Sequence, residues 1–134
     1  MCEWFRFYVD QETKSIVIDI DTKTLVESQP KTQEEADTLC TEVIFPIIDK
    51  LRLMCIEKGY SQFCTVDLKD IDITLLYPIA LIRVIWNIYE HNKADPEFLV
   101  KGFQIKNANK LFRVLYTGCQ SLLPEYMTGM ITIS

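Results

Sequence analysis

One stretch limits what this chain can fold into. Leu75 to His91 carries Leu75, Leu76, Ile79, Ala80, Leu81, Ile82, Val84, Ile85, Trp86, Ile88 and Tyr89, and its polar residues Arg83, Asn87, Glu90 and His91 recur every three or four positions. That period predicts a helix with one narrow wet stripe. A surface helix normally buries a band of about 100°, and this one is apolar over far more. It must be covered on several sides by protein, by a bound apolar molecule, or by a membrane or partner surface. Pro78 fits such a helix only in its first turn, which places the start near Leu76 or Tyr77. Immediately upstream, Phe63-Cys64-Thr65-Val66-Asp67-Leu68 reads as a buried strand.

The other segments supply layers that could cover that helix. Residues 3 to 20 read as a hairpin, with an aromatic strand (Trp4, Phe5, Phe7, Tyr8), a polar turn at Asp10 to Lys14, and the alternating strand Ser15 to Asp21. Thr22 to Lys31 reads as a polar connection. Thr32-Gln33-Glu34-Glu35 matches a capping box and opens a helix to about Lys58, where Gly59 suits the left-handed cap. Pro46 within that helix predicts a kink or a division in two. Asn92 to Pro96 reads as a turn, Val100 to Lys106 as a strand, Asn109 to Leu123 as a helix ended by Pro124, and Met130 to Ile133 as a last short strand. The order ββαβαβαβ implies a single domain over residues 1–134, of α/β class: a mixed, mostly parallel sheet of about five strands with three helices packed on it.

Composition narrows the function. A formal net charge of −5 argues against a phosphate-tracking nucleic-acid binder, so no nucleic-acid partner is expected. No signal-peptide pattern opens the sequence, and the longest apolar run falls far short of the ~20 residues needed to span a bilayer. Five cysteines, an odd number without C-x-x-C spacing, and a single histidine make buried reduced thiols the expectation, with no metal site and no cofactor. A cytoplasmic protein with at most peripheral membrane contact follows. No nucleophile–histidine–acid arrangement or glycine-rich phosphate loop can be argued, so no catalytic residue is assigned and a non-enzyme is expected. His91, near a helix C-terminus, suits a stabilising role against the helix dipole.

The second half carries a resemblance. Asp67-Leu68-Lys69-Asp70, the apolar helix, Asp95-Pro96-Glu97, Phe103-Gln104-Ile105-Lys106-Asn107-Ala108, Leu111-Phe112, Ser121-Leu122-Leu123-Pro124 and Met130-Ile131 stand in the order of the family's motifs. Together they resemble the CRAL-TRIO lipid-binding domain of phosphatidylinositol-transfer-type proteins, over residues 60 to 134 by motif and residues 4 to 58 by topology. This form lacks the family's N-terminal helical region. Asp70 stands where the family has glycine, and Asn109 where it has proline. Met130 stands where a lysine associated with inositol-phosphate binding usually precedes the isoleucine, which puts phosphoinositide recognition in doubt. The STAS domain is a second candidate of near topology, but its D-S-S/T-G-L turn is here Asp72-Ile73-Thr74-Leu75-Leu76.

The CRAL-TRIO resemblance implies non-catalytic binding, and transfer, of a phospholipid or other hydrophobic small molecule with transient membrane contact. It makes helix 110–123 the counterpart of the family's lipid gate. Leu76, Ile79, Trp86, Leu111, Phe112, Leu115 and Tyr116 are then the candidate pocket and gate residues, with a cavity shared between the two helices. Thr74 and Tyr77 are the headgroup candidates, since neutral hydroxyls can bond phosphate or ester oxygens. The same residues suit plainer roles: Thr74 as a helix N-cap, helix 110–123 as a layer packed on the sheet. The alternative function is a ligand-free adaptor of CRAL-TRIO or STAS-like form. With so few helices to cover the sheet, apolar surface is expected to remain on helix 110–123 or on the strand bearing Trp4, Phe5, Phe7 and Tyr8. Such surface would serve a homodimer, a protein partner or a membrane.

Overall fold

The computed structural model describes residues 4–93 and 100–134, without the side chain of Phe5. The Asp95-Pro96-Glu97 segment and Cys2 lie outside the described residues. The hairpin strands are β1 (Phe5–Asp10) and β2 (Ser15–Ile20), antiparallel from the Phe5–Ile20 pair to the Asp10–Ser15 pair. Three parallel strands follow, β3 (Ser61–Asp67), β4 (Val100–Lys106) and β5 (Ile131–Ile133), and the sheet order is β1-β2-β3-β4-β5.

That order explains the layering. Parallel strands added one after another in one direction, each through a right-handed crossover, place every connecting helix on the same face of the sheet. Burial alternates accordingly along β3: Gln62, Cys64 and Val66 are buried, whereas Phe63 and Asp67 are exposed. Ile16, Ile18 and Ile20 of β2 pair with Gln62, Cys64 and Val66, and Val100, Phe103 and Ile105 of β4 continue the row. The opposite face, with Tyr8, Phe63 and Asp67, is open.

The helices depart from the sequence expectation where the local signal is short. The connection after β2 is not wholly irregular. It forms α1 (Thr22–Ser28), capped by Asp21, whose carboxylate accepts from the Thr24 amide at 3.3 Å. Thr32 caps as expected, its Oγ1 accepting from the Glu35 amide at 3.1 Å, but the Glu35 carboxylate reaches one residue past the cap and accepts from the Lys31 amide at 2.7 Å. The helix it opens is divided into α2 (Gln33–Leu39), a π-helical turn (Cys40–Ile44) and α3 (Phe45–Lys58). Pro46 falls in the first turn of α3, where it needs no donor, and the π turn absorbs the break. Gly59 ends α3 at φ 69°.

After a 3₁₀ turn at Ile73–Leu75, α4 runs Pro78–Asn92 with its proline in the first turn. Asn109 caps α5 (Lys110–Cys119), accepting from the Phe112 amide at 2.8 Å. A 3₁₀ turn (Gln120–Leu122) and a short α6 (Glu125–Thr128) lead to β5, so α5 ends before Leu123. Asp70, at the family's glycine position, adopts φ 62°. The left-handed backbone is kept there by one of the few side chains that tolerates it.

Candidate functional site

The fully buried core residues gather in three clusters, the first and third of which are bridged by Ile20 and Phe103. α3 packs on β2 and β3 around Ile16, Ile18, Leu51, Cys55 and Cys64. α2, the π turn and α4 form a second cluster around Ala36, Cys40, Ile44 and Val84. The strand ends and α5 form a third around Val66, Leu68, Ile73 and Ile105. A small domain usually has one contiguous core. Here the three clusters surround a cavity of about 340 Å³ between the covered face of the sheet and α4, α5 and α6.

Its floor is Ile18, Ile20, Cys64, Val66, Phe103, Ile105 and Ile131 from four strands. Leu81, Ile85, Ile88 and Tyr89 of α4 and Phe112, Leu115, Tyr116 and Cys119 of α5 form its walls. Trp4 with Leu25 and Val26 of α1 closes one part, and Tyr126 with Met127 of α6 another. Among the described residues, none that lines it is charged. Four of the polar groups in its lining bond the protein itself. Thr22 Oγ1 donates to the Asp67 carbonyl at 2.7 Å, Asn92 Nδ2 to the Ile88 carbonyl at 3.0 Å, Trp4 Nε1 to Ser28 Oγ at 2.5 Å, and the Tyr126 hydroxyl to the Val100 carbonyl. Every buried side-chain nitrogen and oxygen among the described residues has a partner. Burial pushes the Cys64 thiol up to about 12, as expected for a group facing an apolar space.

The sequence-derived candidates divide. Leu76, Phe112, Leu115 and Tyr116 line the cavity. Ile79, Trp86 and Leu111 do not, and they stand 57%, 37% and 50% exposed. Helical geometry gives the reason. α4 turns Leu81, Ile85 and Ile88 to the cavity, buries Ala80, and packs Val84 against Ala36, Cys40 and Ile44 at the cavity's border, so Ile79 and Trp86, seven residues apart, fall on the remaining outer ridge. On α5, Phe112, Leu115, Tyr116 and Cys119 face in, leaving Leu111 and Val114 outside.

Neither headgroup candidate reaches the cavity. Thr74 donates from both its hydroxyl and its amide to Asp72 Oδ1, at 2.6 and 3.0 Å, and it is Asp72 that caps the 3₁₀ turn. The Tyr77 ring is exposed, with Lys31 Nζ 6.0 Å from its centroid. Asp67, a further polar group near the strand ends, accepts from the Lys69 amide at 2.9 Å and from Asn107 Nδ2 at 2.8 Å, which hold its carboxyl below the usual range. His91 bonds Asp49 Oδ1 at 2.8 Å and stacks on Phe45, tying α4 to α3. Among the described residues no cluster of His, Cys, Asp and Glu could hold a metal ion, and no helix is long and apolar enough to cross a membrane.

Residues that sequence reasoning missed are Leu25 and Val26 of α1, and Tyr126 and Met127 of α6. Both elements are short, and each offers only two apolar positions in a polar context.

No protein-family model and no curated protein sequence matches this chain. Among solved structures, the crystal structure of Sfh5, a CRAL-TRIO protein, superimposes with a TM-score of 0.55 at 13% sequence identity. The match covers 97% of this chain and 46% of Sfh5, so the chain spans less than half that protein's length. The five-stranded mixed sheet with its helical layer is therefore a CRAL-TRIO-like α/β fold.

Proposed function

We propose that this protein binds a hydrophobic small molecule, an acyl-chain lipid by preference, in the cavity between the sheet and helices α4 and α5. The observation that carries the reading is the cavity of about 340 Å³ between the sheet and the helices, with no charged residue in its lining among the described residues. Ligand pockets are typically ~300–1,000 Å³ and mostly apolar. A void of ~150 Å³ admits benzene, so this one suits about fourteen carbons, the scale of one acyl chain. Burying such a chain is favourable by about 0.8 kcal/mol per CH₂ and asks for no special residue. A charged headgroup has no partner inside and belongs at the mouth.

The outer surface of α5 supports transient membrane contact for loading. Leu111 and Val114 are exposed there beside Lys110 and Arg113, which make no ion pair among the described residues, and α5 carries no acidic residue. This is a local exception to the acidic balance of the chain, and it suits an anionic lipid surface.

Organic extraction of the purified protein followed by mass spectrometry tests the reading. An acyl-bearing or comparably apolar molecule near one per chain supports it. Protein that elutes without any such molecule and takes up none from vesicles counts against it and favours the ligand-free adaptor.

A further inference from the structure

The two edges of the sheet are unlike. β5 offers only three residues, Ile131–Ile133, and a short strand is one of the devices that keep a sheet edge from pairing. β1 offers six, Phe-Arg-Phe-Tyr-Val-Asp, in unbroken register with β2 and without proline, lysine or a bulge. None of those devices protects it.

The hydrogen-bond parity of β1 can be followed along the strand. The Asp21 amide donates to the Trp4 carbonyl at 2.7 Å, which makes Trp4 and Asp21 a hydrogen-bonded pair. In an antiparallel ladder bonded and non-bonded pairs alternate. Arg6, Tyr8 and Asp10 therefore direct their amides and carbonyls at β2, while Phe7 and Val9 direct theirs at the free edge.

We propose that a second copy of this chain pairs antiparallel along β1, with the two-fold axis at Tyr8, to make one ten-stranded sheet. In that register Phe7 exchanges both backbone hydrogen bonds with Val9 of the other copy, twice by symmetry. Arg6 falls directly opposite Asp10 of the other copy, also twice, on the open face. The alternatives of the same parity are poorer. Displacing the axis to Phe7 sets Arg6 against Tyr8, and displacing it to Arg6 sets the two arginines against each other. Moving it to Val9 leaves Arg6 facing Glu12 beyond the strand. The Arg6 side chain is free to turn: it is 67% exposed, and its ion pairs with Asp19 and Asp21 are long, at 3.8 and 4.0 Å. Phe7, exposed on the helix-covered side of the edge, would continue the core row into the second copy. The pairing is independent of the cavity and of any ligand.

Light scattering at micromolar concentration tests it with five chains. The unaltered protein is expected to be a dimer. Val9→Pro removes an amide that the ladder turns to the free edge, away from β2, at a position where edge strands accept proline, and should give a folded monomer by circular dichroism. Arg6→Glu and Asp10→Lys each place like charges opposite one another and should weaken the dimer roughly tenfold or more. Mixing those two variants restores both charge pairs in a heterodimer, a rescue that mere damage to the fold cannot produce. A monomeric unaltered protein, a mixture that fails to associate, or a dimer dissolved by Val114→Glu on α5 instead would overturn the proposal.

Discussion

Trp86 Nε1 donates to the carbonyl oxygen of Leu122 at 2.6 Å, joining the outer ridge of α4 to the 3₁₀ turn that follows α5. The ring also meets Tyr89 edge-on at 5.8 Å, and Tyr89 meets Tyr126 of α6 at 5.7 Å. Neither α5 nor α6 has a fully buried residue, so this chain of contacts is a principal tie between the cavity's cover and its wall. Trp86, a candidate pocket residue by sequence, lies outside the cavity lining and acts as a latch instead. Trp86→Phe keeps a ring and deletes the donor, and should cost about 1 kcal/mol. Hydrogen exchange should rise in residues 110–128 and stay unchanged in α2 and α3. Uniform loosening would show that Trp86 does not act on the cover.

Gly102 and Phe63 sit side by side on the open face of β4 and β3. A Cβ at Gly102 would lie 2.8 Å from Phe63 Cδ1 and 3.1 Å from Cε1. Gly102→Ala should therefore cost about 1–3 kcal/mol through overpacking. In a Phe63→Ala background the obstruction is gone, and the same change should be neutral or stabilising by about 0.5 kcal/mol, because alanine lowers the entropy of the unfolded strand. Denaturant midpoints of the four proteins check this reversal of sign. An equal loss in both backgrounds would mean the ring is not what fills the glycine's space.

The thiols should separate by environment. Burial raises Cys40 and Cys55 and carries Cys64 to about 12, leaving on the order of one Cys64 thiolate in 10⁵ at pH 7. Cys119 is half-buried on the cavity side of α5. Alkylation followed by peptide mass spectrometry should label Cys119 well before Cys64, and a bound apolar ligand should slow only Cys119. Labelling of Cys119 indifferent to ligand would place the ligand elsewhere.

Much of the fold could be read from alternation and punctuation. Val100–Lys106 was bounded as a strand, Thr32 and Asn109 cap as their residue types suggest, and Pro78 fixes the start of α4. α1 was hidden because only Leu25 and Val26 interrupt its polar run, and its cap, Asp21, also reads as the end of a strand. The site was less legible for a physical reason. A helix apolar over most of its surface, such as α4, gives the spacing of its faces but not what each face meets. Ile79 and Trp86 therefore looked as fit to line a pocket as Leu81 and Ile85 do. Which face met the cavity was decided by α2 and the π turn, packed on Val84 from a distant part of the sequence.

The account stands most directly on whether the cavity takes an apolar guest. The measurement is a fluorescence titration of delipidated protein with 1-aminoanthracene, an uncharged probe of about the size the cavity admits. Beside it runs Leu115→Trp, which extends a larger side chain into the same space. The account predicts saturable binding of about one probe per chain by the unaltered protein and its loss in Leu115→Trp, with the variant still folded and melting cooperatively. Failure of the unaltered protein to bind saturably, or equal binding by a folded Leu115→Trp variant, would contradict it.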